Sequence, residues 1–477
     1  MKESFLEYFR CPSSFVDFRL SGPLSLPAGF FRFGLDEICF GALSSGRTFP
    51  EPRDLPVEFS VNPEFEHHAC ILPFDPDEII QNLRYERYRS ALPSAPWNTH
   101  SLVRATYYGI RPLLPIAVRK HLQRFALKNW RDTPFPRWPV DQTVDCIFEK
   151  LMAAVLRATA LPRIPFIWFW PEGHPSAAIM THDVETSSGR DFCPRLMDID
   201  DSYGIKSSFQ LIPAERYDVP GSLLALLRKR GFEINVHDFN HDGNLFQNRD
   251  EFLRRAPRIN ACIREFGASG YRSGVLYRNL DWYDSFDFSY DMSVPNAGHL
   301  EPQPGGCCTT KPFFVGGILE LPVMATQDYS LYHILQSYSV DLWKRQIEAV
   351  LPKNGLLSFI IHPDYLLDPR AQQTYAALLA HLSALRDAGR TWIALPGEVN
   401  EWWRQRARMK LVQQDREWTI VGQGSHRARL AYASLQDGAV VYSLASPTSP
   451  SVLSQVAEAA AEAASSPVLP SVETAPQ

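Results

Sequence analysis

The sequence predicts an α/β fold, with a (β/α) sheet or barrel between residues 177 and 400. Short apolar segments of strand length alternate there with helical segments over about 220 residues. Several of the apolar segments run directly into His, Asp or Glu, and barrels of this kind carry their chemistry at the carboxyl ends of strands. The predicted strands are 177–185, 207–212, 232–237, 271–274, 286–293, 319–323, 356–362 and 392–395. The predicted helices are 194–203, 221–230, 249–266, 336–350 and 370–388.

The regions around this barrel differ from it in pattern. Residues 1–170 predict an α+β region of short strands and turns, and the barrel itself is assigned to 171–410. Residues 411–445 predict a small β-rich segment. The last stretch, 446–477, is rich in Ala, Ser and Pro and lacks large aromatic residues, which is typical of a disordered tail.

The composition excludes several classes of protein. A hydrophobic content of 45% is enough for a large core and excludes wholesale disorder. The net charge of −5 gives no general attraction to nucleic acid. The N-terminus lacks the pattern of a secretory signal, and the eight cysteines have no framework spacing, so we expect reduced thiols and a cytoplasmic location.

Residues 101–137 form a strongly basic segment. They contain eight Lys or Arg residues against the single acid Asp132. Leu114, Val118, Leu122 and Phe125 recur within it at helical spacing, so one face is apolar. A basic amphipathic helix of this kind can lie on an anionic membrane surface, which would make the protein peripheral to the inner face of the membrane. The alternative is a solvated helix packed on the neighbouring domain.

Two predicted strands end in groups that can bind a metal ion. The first runs into Asp183 and Glu185, which lie on the same side because side chains alternate along a strand. The second is followed by His237 and His241, and two histidines four residues apart can bind one metal ion from a turn. The alternatives are that the acids cap the next helix and that the histidines are polar loop residues.

Two further strands end in residues with acid–base or electrostatic potential. One buried strand ends at His362, and a short strand carries Arg272. Alone, the histidine could bond only to the backbone and the arginine could form a structural ion pair. The occurrence of all these groups at successive strand ends favours a catalytic site.

The order of these groups resembles that of the polysaccharide deacetylase family, whose barrels carry the NodB homology domain and form carbohydrate esterase family 4. The family's Thr-Phe-Asp-Asp-Gly motif resembles residues 181–185, and its His-(Ser/Thr)-x-x-His motif matches the spacing of His237 and His241. Its Arg-x-Pro motif is matched at Arg272, and its last motif resembles residues 359–363. The resemblance implies a NodB-type (β/α) barrel over a little under half of the chain.

The sequence departs from the family pattern at three positions. Val184 stands where the family has a metal-binding Asp, and Glu185 would supply that ligand in an Asp-x-Glu variant of the motif. Asp238 replaces the usual Ser or Thr, and Gly274 replaces the Pro that follows the arginine.

The resemblance implies a metal site and an acid–base pair. The implied metal ligands are Glu185, His237 and His241. Two imidazoles, one carboxylate and an open position suit one divalent ion, Zn²⁺ first, with Co²⁺ or Ni²⁺ as alternatives. Asp183 would act as general base, kept ionised by Arg272, and His362 would protonate the departing amine.

Two further residues are assigned to substrate binding. Asp291 ends a strand that resembles a Tyr-Asp-Ser-Ser element of some relatives. His299 lies in the long loop 294–318, and a long loop at the catalytic face is a candidate lid or specificity element. The same loop contains Cys307 and Cys308, which we interpret as free thiols because adjacent cysteines are hard to bridge.

The predicted function is therefore a metal-dependent hydrolase that removes an acetyl group, N-acetyl before O-acetyl, from a carbohydrate or glycolipid precursor. Such a reaction would serve exopolysaccharide or glycolipid synthesis. Two alternatives stay open. One is hydrolysis of another amide C–N bond in a small molecule, and the other is a carbohydrate-binding or scaffold protein whose site has decayed.

Overall fold

The structure is a computed structural model, and it describes residues 1–44, 46–53, 55–57, 60–66, 68–92, 125, 127, 129–415 and 417–445. The predicted tail 446–477 and most of the basic segment 101–137 lie outside these residues. Within the described part of the chain, no helix is both long enough and apolar enough to cross a lipid bilayer.

Among the described residues, the N-terminal part contains short strands in small sheets together with three helices. In chain order the elements are α1 (Glu3–Phe9), β1 (Phe18–Leu20), β2 (Ser25–Phe33), β3 (Glu37–Leu43), β4 (Ser60–Val61), β5 (Glu64–Glu66), β6 (Ala69–Leu72), α2 (Pro76–Arg84), α3 (Thr143–Thr159) and β7 (Ile164–Ile167). Two three-stranded sheets form here, in the orders β1-β6-β5 and β3-β2-β4. Helix α2 begins at Pro76 because the preceding Asp75 accepts a hydrogen bond from the Asp77 N–H.

The central part alternates strands and helices, as predicted. Its elements are β8 (Ala177–Val184), α4 (Ser187–Ser202), β9 (Ser208–Leu211), α5 (Gly221–Lys229), β10 (Glu233–His237), α6 (Arg249–Glu265), β11 (Gly270–Arg272), β12 (Tyr290–Asp291), β13 (Phe313–Val315), β14 (Ile318–Glu320), α7 (Asp341–Val350), β15 (Leu356–Ile361), α8 (Pro369–Asp387), β16 (Trp392–Ile393) and α9 (Pro396–Arg408). They build one nine-stranded sheet in the order β13-β14-β12-β11-β10-β9-β8-β15, with β16 also paired to β8. All pairs except β13–β14 are parallel.

Backbone hydrogen bonds join the two ends of this sheet through the segment that follows β14. Val323 forms a parallel bridge with Pro295, beyond the end of β12. Two residues later, the Ala325 N–H donates to the Ser358 carbonyl in the middle of β15, at 3.1 Å. The strands therefore curl into a ring, which confirms the predicted (β/α) barrel.

The predicted helix 194–203 begins earlier than expected, at Ser187. The Thr186 hydroxyl accepts a hydrogen bond from the Gly189 N–H at 3.0 Å and caps the helix. Pro194, the first residue of the predicted helix, lies inside the observed one. Neither Asp183 nor Glu185 is the cap, so both carboxylates are left for other partners.

After the barrel the chain forms β17 (Lys410–Gln414), β18 (Glu417–Val421), β19 (Leu430–Gln436) and β20 (Ala439–Leu444). Strand β19 pairs with β20 and also, antiparallel, with β7 from the N-terminal part. One hydrophobic core accordingly runs from α1 and α3 through β7 to α9 and β19. A second core lies between the barrel strands and their surrounding helices.

Candidate metal centre

Three side chains from two strand ends converge at the carboxyl edge of the barrel. Glu185 directly follows β8, His237 ends β10, and His241 lies in the loop after it. The Oε1 atom of Glu185 is 2.9 Å from Nε2 of His241 and 3.7 Å from Nε2 of His237. The three ligand atoms all lie within 4.8 Å of one another. The structure thus brings together the three residues predicted to bind a metal ion.

The histidine nitrogens have the properties that a metal site requires. His237 Nδ1 is 3.1 Å from the Arg272 carbonyl, which can only accept, so Nδ1 carries the proton and the Nε2 lone pair is available. Among the described residues, Nε2 of His237 and Nε2 of His241 are buried and form no hydrogen bond of ordinary geometry. Two orphaned imidazole nitrogens beside a carboxylate fit a divalent ion such as Zn²⁺.

The carboxylate of Glu185 faces three imidazoles. Burial raises its pKa, but His241, His237 and His362 outweigh this effect and hold the pKa well below its ordinary value. Glu185 is 27% exposed, whereas the side chains of Asp183, His237, His241 and His362 are at most 5% exposed. Solvent therefore reaches the centre on the side of Glu185.

Asp183 lies beside this cluster and is held by a buried arginine. The Arg272 Nη1 donates to Asp183 Oδ1 at 2.5 Å and to the Thr181 hydroxyl at 2.8 Å. Burial acts to raise the pKa of Asp183, but Arg272, followed by the nearby His237 and His362, lowers it below its ordinary value. The geometry is the one expected of a carboxylate kept ionised near a reacting group.

His362 is positioned by an aspartate that the sequence did not indicate. Its Nδ1 is 2.6 Å from Asp328 Oδ1, and its backbone N–H donates to Asp328 Oδ2 at 2.7 Å. Its Nε2 points to the cluster, 3.4 Å from Glu185 Oε1. Burial lowers the pKa of His362, but Asp328 and Glu185 outweigh burial and raise it well above its ordinary value. Asp328 lies after β14, at the start of a short helical stretch whose sequence carries no motif, so only the fold reveals it.

The two residues assigned to substrate binding lie away from this cluster. Asp291 is fully buried, and its carboxylate accepts hydrogen bonds from Tyr283 at 2.8 Å and Ser293 at 2.6 Å. It has no exposed surface to offer a substrate, because β12 is covered on both faces. His299 is also buried, and its ring packs edge-on against Trp130 with 6.5 Å between centroids. The structure does not join either residue to the three ligands through a described hydrogen bond or ion pair.

Two departures from the deacetylase motifs meet in space. An added Cβ at Gly274 would lie 2.5 Å from Asp238 Oδ2, closer than any real contact. Asp238 is 1% exposed, and burial raises the pKa of its carboxyl. The Asp238 carboxylate therefore occupies space that a Cβ at position 274 would need, so the two departures are coupled in the structure.

No model of a known protein family matches the sequence, and no curated protein matches it. Among solved structures, it is similar to a putative polysaccharide deacetylase from Mycobacterium smegmatis, with 20% identity over 53% of this chain and 98% of that one, at a TM-score of 0.40. It is also similar to an allantoinase, with 11% identity over 49% and 92% of the two chains, at a TM-score of 0.40. A family 4 acetyl xylan esterase from Clostridium thermocellum, solved with a cobalt ion, shows 15% identity over 48% and 91%, at a TM-score of 0.31.

Proposed function

We propose that the chain is a metal-dependent hydrolase that removes an acetyl group, preferably N-acetyl, from a carbohydrate or glycolipid precursor. One observation carries the proposal. A three-ligand cluster with two orphaned imidazole nitrogens has a carboxylate, Asp183, 3.7 Å from His237 and an imidazole, His362, 3.4 Å from Glu185. A base and an acid beside one Lewis-acid site are what amide hydrolysis needs.

Glu185, His237 and His241 would hold the ion, with Zn²⁺ first and Co²⁺ or Ni²⁺ as alternatives. When bound, it would supply positive charge to the carbonyl oxygen and to the attacking water. The residues of the chain then have to position the carbonyl group and to transfer two protons.

Asp183 would remove a proton from the attacking water. The Arg272 contact keeps its carboxylate ionised and fixes the oxygen Oδ1, which leaves Oδ2 toward His237 at 3.7 Å. His362 would donate its Nε2 proton to the amine nitrogen as the C–N bond breaks. Asp328 stabilises the charged imidazole beforehand and holds Nδ1, so the proton is delivered from Nε2.

The motif resemblance supports acetyl as the group removed and a carbohydrate as its carrier. Glu185 is the ligand that solvent reaches, at 27% exposure, so the acetyl carbonyl would approach the centre from its side.

The test is release of acetate from a panel of N-acetylated and O-acetylated sugars by protein loaded with Zn²⁺ or Co²⁺. Asp183→Asn is the matched variant, because it preserves shape and removes the base. Acetate released by the wild type and reduced at least 100-fold in the variant supports the proposal. Ammonia or amine release from non-sugar amides, without acetate from any sugar, would favour the second amide-hydrolase alternative instead.

A cytoplasmic role in exopolysaccharide or glycolipid synthesis, with membrane contact through 101–137, is part of the same proposal. The membrane contact requires that the protein bind vesicles in a way that depends on anionic lipid. Flotation with vesicles containing phosphatidylglycerol, compared with vesicles of phosphatidylcholine alone, tests it directly.

A further inference from the structure

We propose that one short turn, residues 214–217 after β9, positions two of the three metal ligands, Glu185 and His241. The inference rests on the proposed metal-dependent function and assigns positioning roles to Tyr217 and Arg216. Neither is a ligand: Tyr217 acts through backbone groups, and Arg216 acts through two backbone carbonyls and also contacts the His241 ring.

Tyr217 holds the end of the strand that leads into Glu185. Its hydroxyl donates to the Val184 carbonyl at 2.6 Å and accepts a hydrogen bond from the Ile212 N–H at 3.0 Å. The ladder between β8 and β9 ends at the pair Val184 and Leu211. The hydroxyl therefore bridges the two chains just where their pairing stops. Glu185 is the first residue beyond that point, and this bridge fixes the carbonyl directly before it.

Arg216 holds the loop that carries His241. Its Nη2 donates to the His241 carbonyl at 2.8 Å, and its Nε donates to the Asn240 carbonyl at 3.2 Å. His241 has a φ of 55°, a left-handed conformation that a residue with a side chain adopts only when its surroundings impose it. The same Nη2 also lies 3.5 Å from Nδ1 of the His241 ring. Arg216 therefore contacts both the backbone and the ring of this strained histidine.

Two more hydrogen bonds join the same turn to the same loop. The Ala214 N–H donates to the Phe239 carbonyl at 3.2 Å, and the Asn240 amide donates to Glu215 at 2.9 Å. His237 does not depend on this turn, because it lies on β10 and its Nδ1 is held by the Arg272 carbonyl. The turn thus serves the two ligands that stand outside regular strands. Without it, binding of the ion would have to order both segments, and affinity would fall.

The experiment measures Co²⁺ and Zn²⁺ affinity and the visible absorption of the Co²⁺ protein, for Tyr217→Phe and for Arg216→Gln. Tyr88→Phe and Arg386→Gln are matched controls. Tyr88 donates to the Gly306 carbonyl at 2.6 Å, and Arg386 donates to the Tyr203 and Gly204 carbonyls at 3.0 and 2.9 Å, so the same bond types are lost elsewhere. We expect each turn variant to bind metal about 10-fold more weakly and to change the Co²⁺ spectrum. The controls should retain wild-type affinity and spectrum.

Unchanged affinity and spectrum in both turn variants, with a wild type that binds metal, would overturn this inference and leave the proposed function standing. A wild type that binds neither ion would overturn both. An equal loss of affinity in the turn variants and in the controls would show general destabilisation and would also overturn it. Thermal unfolding of the metal-free proteins supports the inference when the turn variants unfold within a few degrees of the controls.

Discussion

Asp328 binds His362 through both of its oxygens, one to the ring at 2.6 Å and the other to the backbone N–H of the same residue at 2.7 Å. This double contact fixes the ring's orientation as well as its charge. It directs Nε2 to the cluster, where Glu185 Oε1 is 3.4 Å away. A buried imidazole held in this way is suited to donate a proton.

Replacement of Asp328 by Asn should lower the pKa of His362. Burial alone favours the neutral ring, and Asp328 is the largest influence that opposes it. A general acid must be protonated, so activity is lost as pH rises through its pKa. The basic limb of the kcat profile for acetate release should therefore move to lower pH, with kcat at neutral pH reduced 10-fold or more. A basic limb that stays in place would contradict the role of Asp328.

Replacement of Arg272 by Gln should move the acidic limb of the same pH profile to higher pH. Without the guanidinium, the burial of Asp183 raises its pKa, so the base becomes protonated at a higher pH. Activity should then fall at a higher pH on the acidic side. Removal of one partner of a buried ion pair should also cost about 3–5 kcal/mol of unfolding free energy. Urea unfolding and a pH–rate profile measure the two effects separately, and an unmoved acidic limb would exclude this role for Arg272.

Glu301, in the long loop, should make stability depend on pH. Burial raises the pKa of its carboxyl from 4.5 to about 7, only partly offset by Gln327, whose amide donates to it at 2.5 Å. The folded protein therefore binds more protons than the unfolded chain between these values, and stability falls as pH rises from about 4.5 to about 7. The loss should approach 3 kcal/mol. Glu301→Gln should remove this slope in urea unfolding at pH 5 and pH 8, and an unchanged slope would contradict it.

Gly274→Ala should destabilise the protein because its Cβ would lie 2.5 Å from Asp238 Oδ2. Overpacking of this kind costs about 1–3 kcal/mol. The change Asp238→Ser removes the clashing carboxylate, so the double variant should recover most of the loss. A double-mutant cycle of unfolding free energies measures the coupling. Additive effects would show that the two positions are independent.

The sequence contained enough information for the barrel and for most of the centre. Alternation along β8 correctly placed Asp183 and Glu185 on one face, and it also explains why His182 points the other way, to Asp200 at 3.0 Å. The strand predicted at 286–293 was too long, since only Tyr290–Asp291 pair. Phe286 and Phe288 pack against Tyr271 but do not pair with a strand. Both are buried, so apolar residues recur at alternate positions there as they would in a strand.

Residues that act through the backbone could not be predicted. Arg216 and Tyr217 lie in an irregular segment and Asp328 begins a short helical stretch. The partners of all three are distant in sequence or are carbonyl groups that carry no sequence signal. Asp291 was assigned to substrate binding on its resemblance to a Tyr-Asp-Ser-Ser element, and the structure buries its carboxylate against Tyr283 and Ser293. A residue at a strand end lies at the edge of the sheet, but this position does not show whether its side chain is exposed to solvent.

Metal content by elemental analysis of the purified protein tests the central claim most directly. The wild type should be compared with the His237→Ala/His241→Ala double variant, and with His182→Ala as a histidine control outside the cluster. We predict about one divalent ion per wild-type chain, retained in the control and lost in the double variant. A wild type that holds no metal, even after incubation with Zn²⁺, Co²⁺ or Ni²⁺, would contradict the metal-dependent hydrolase.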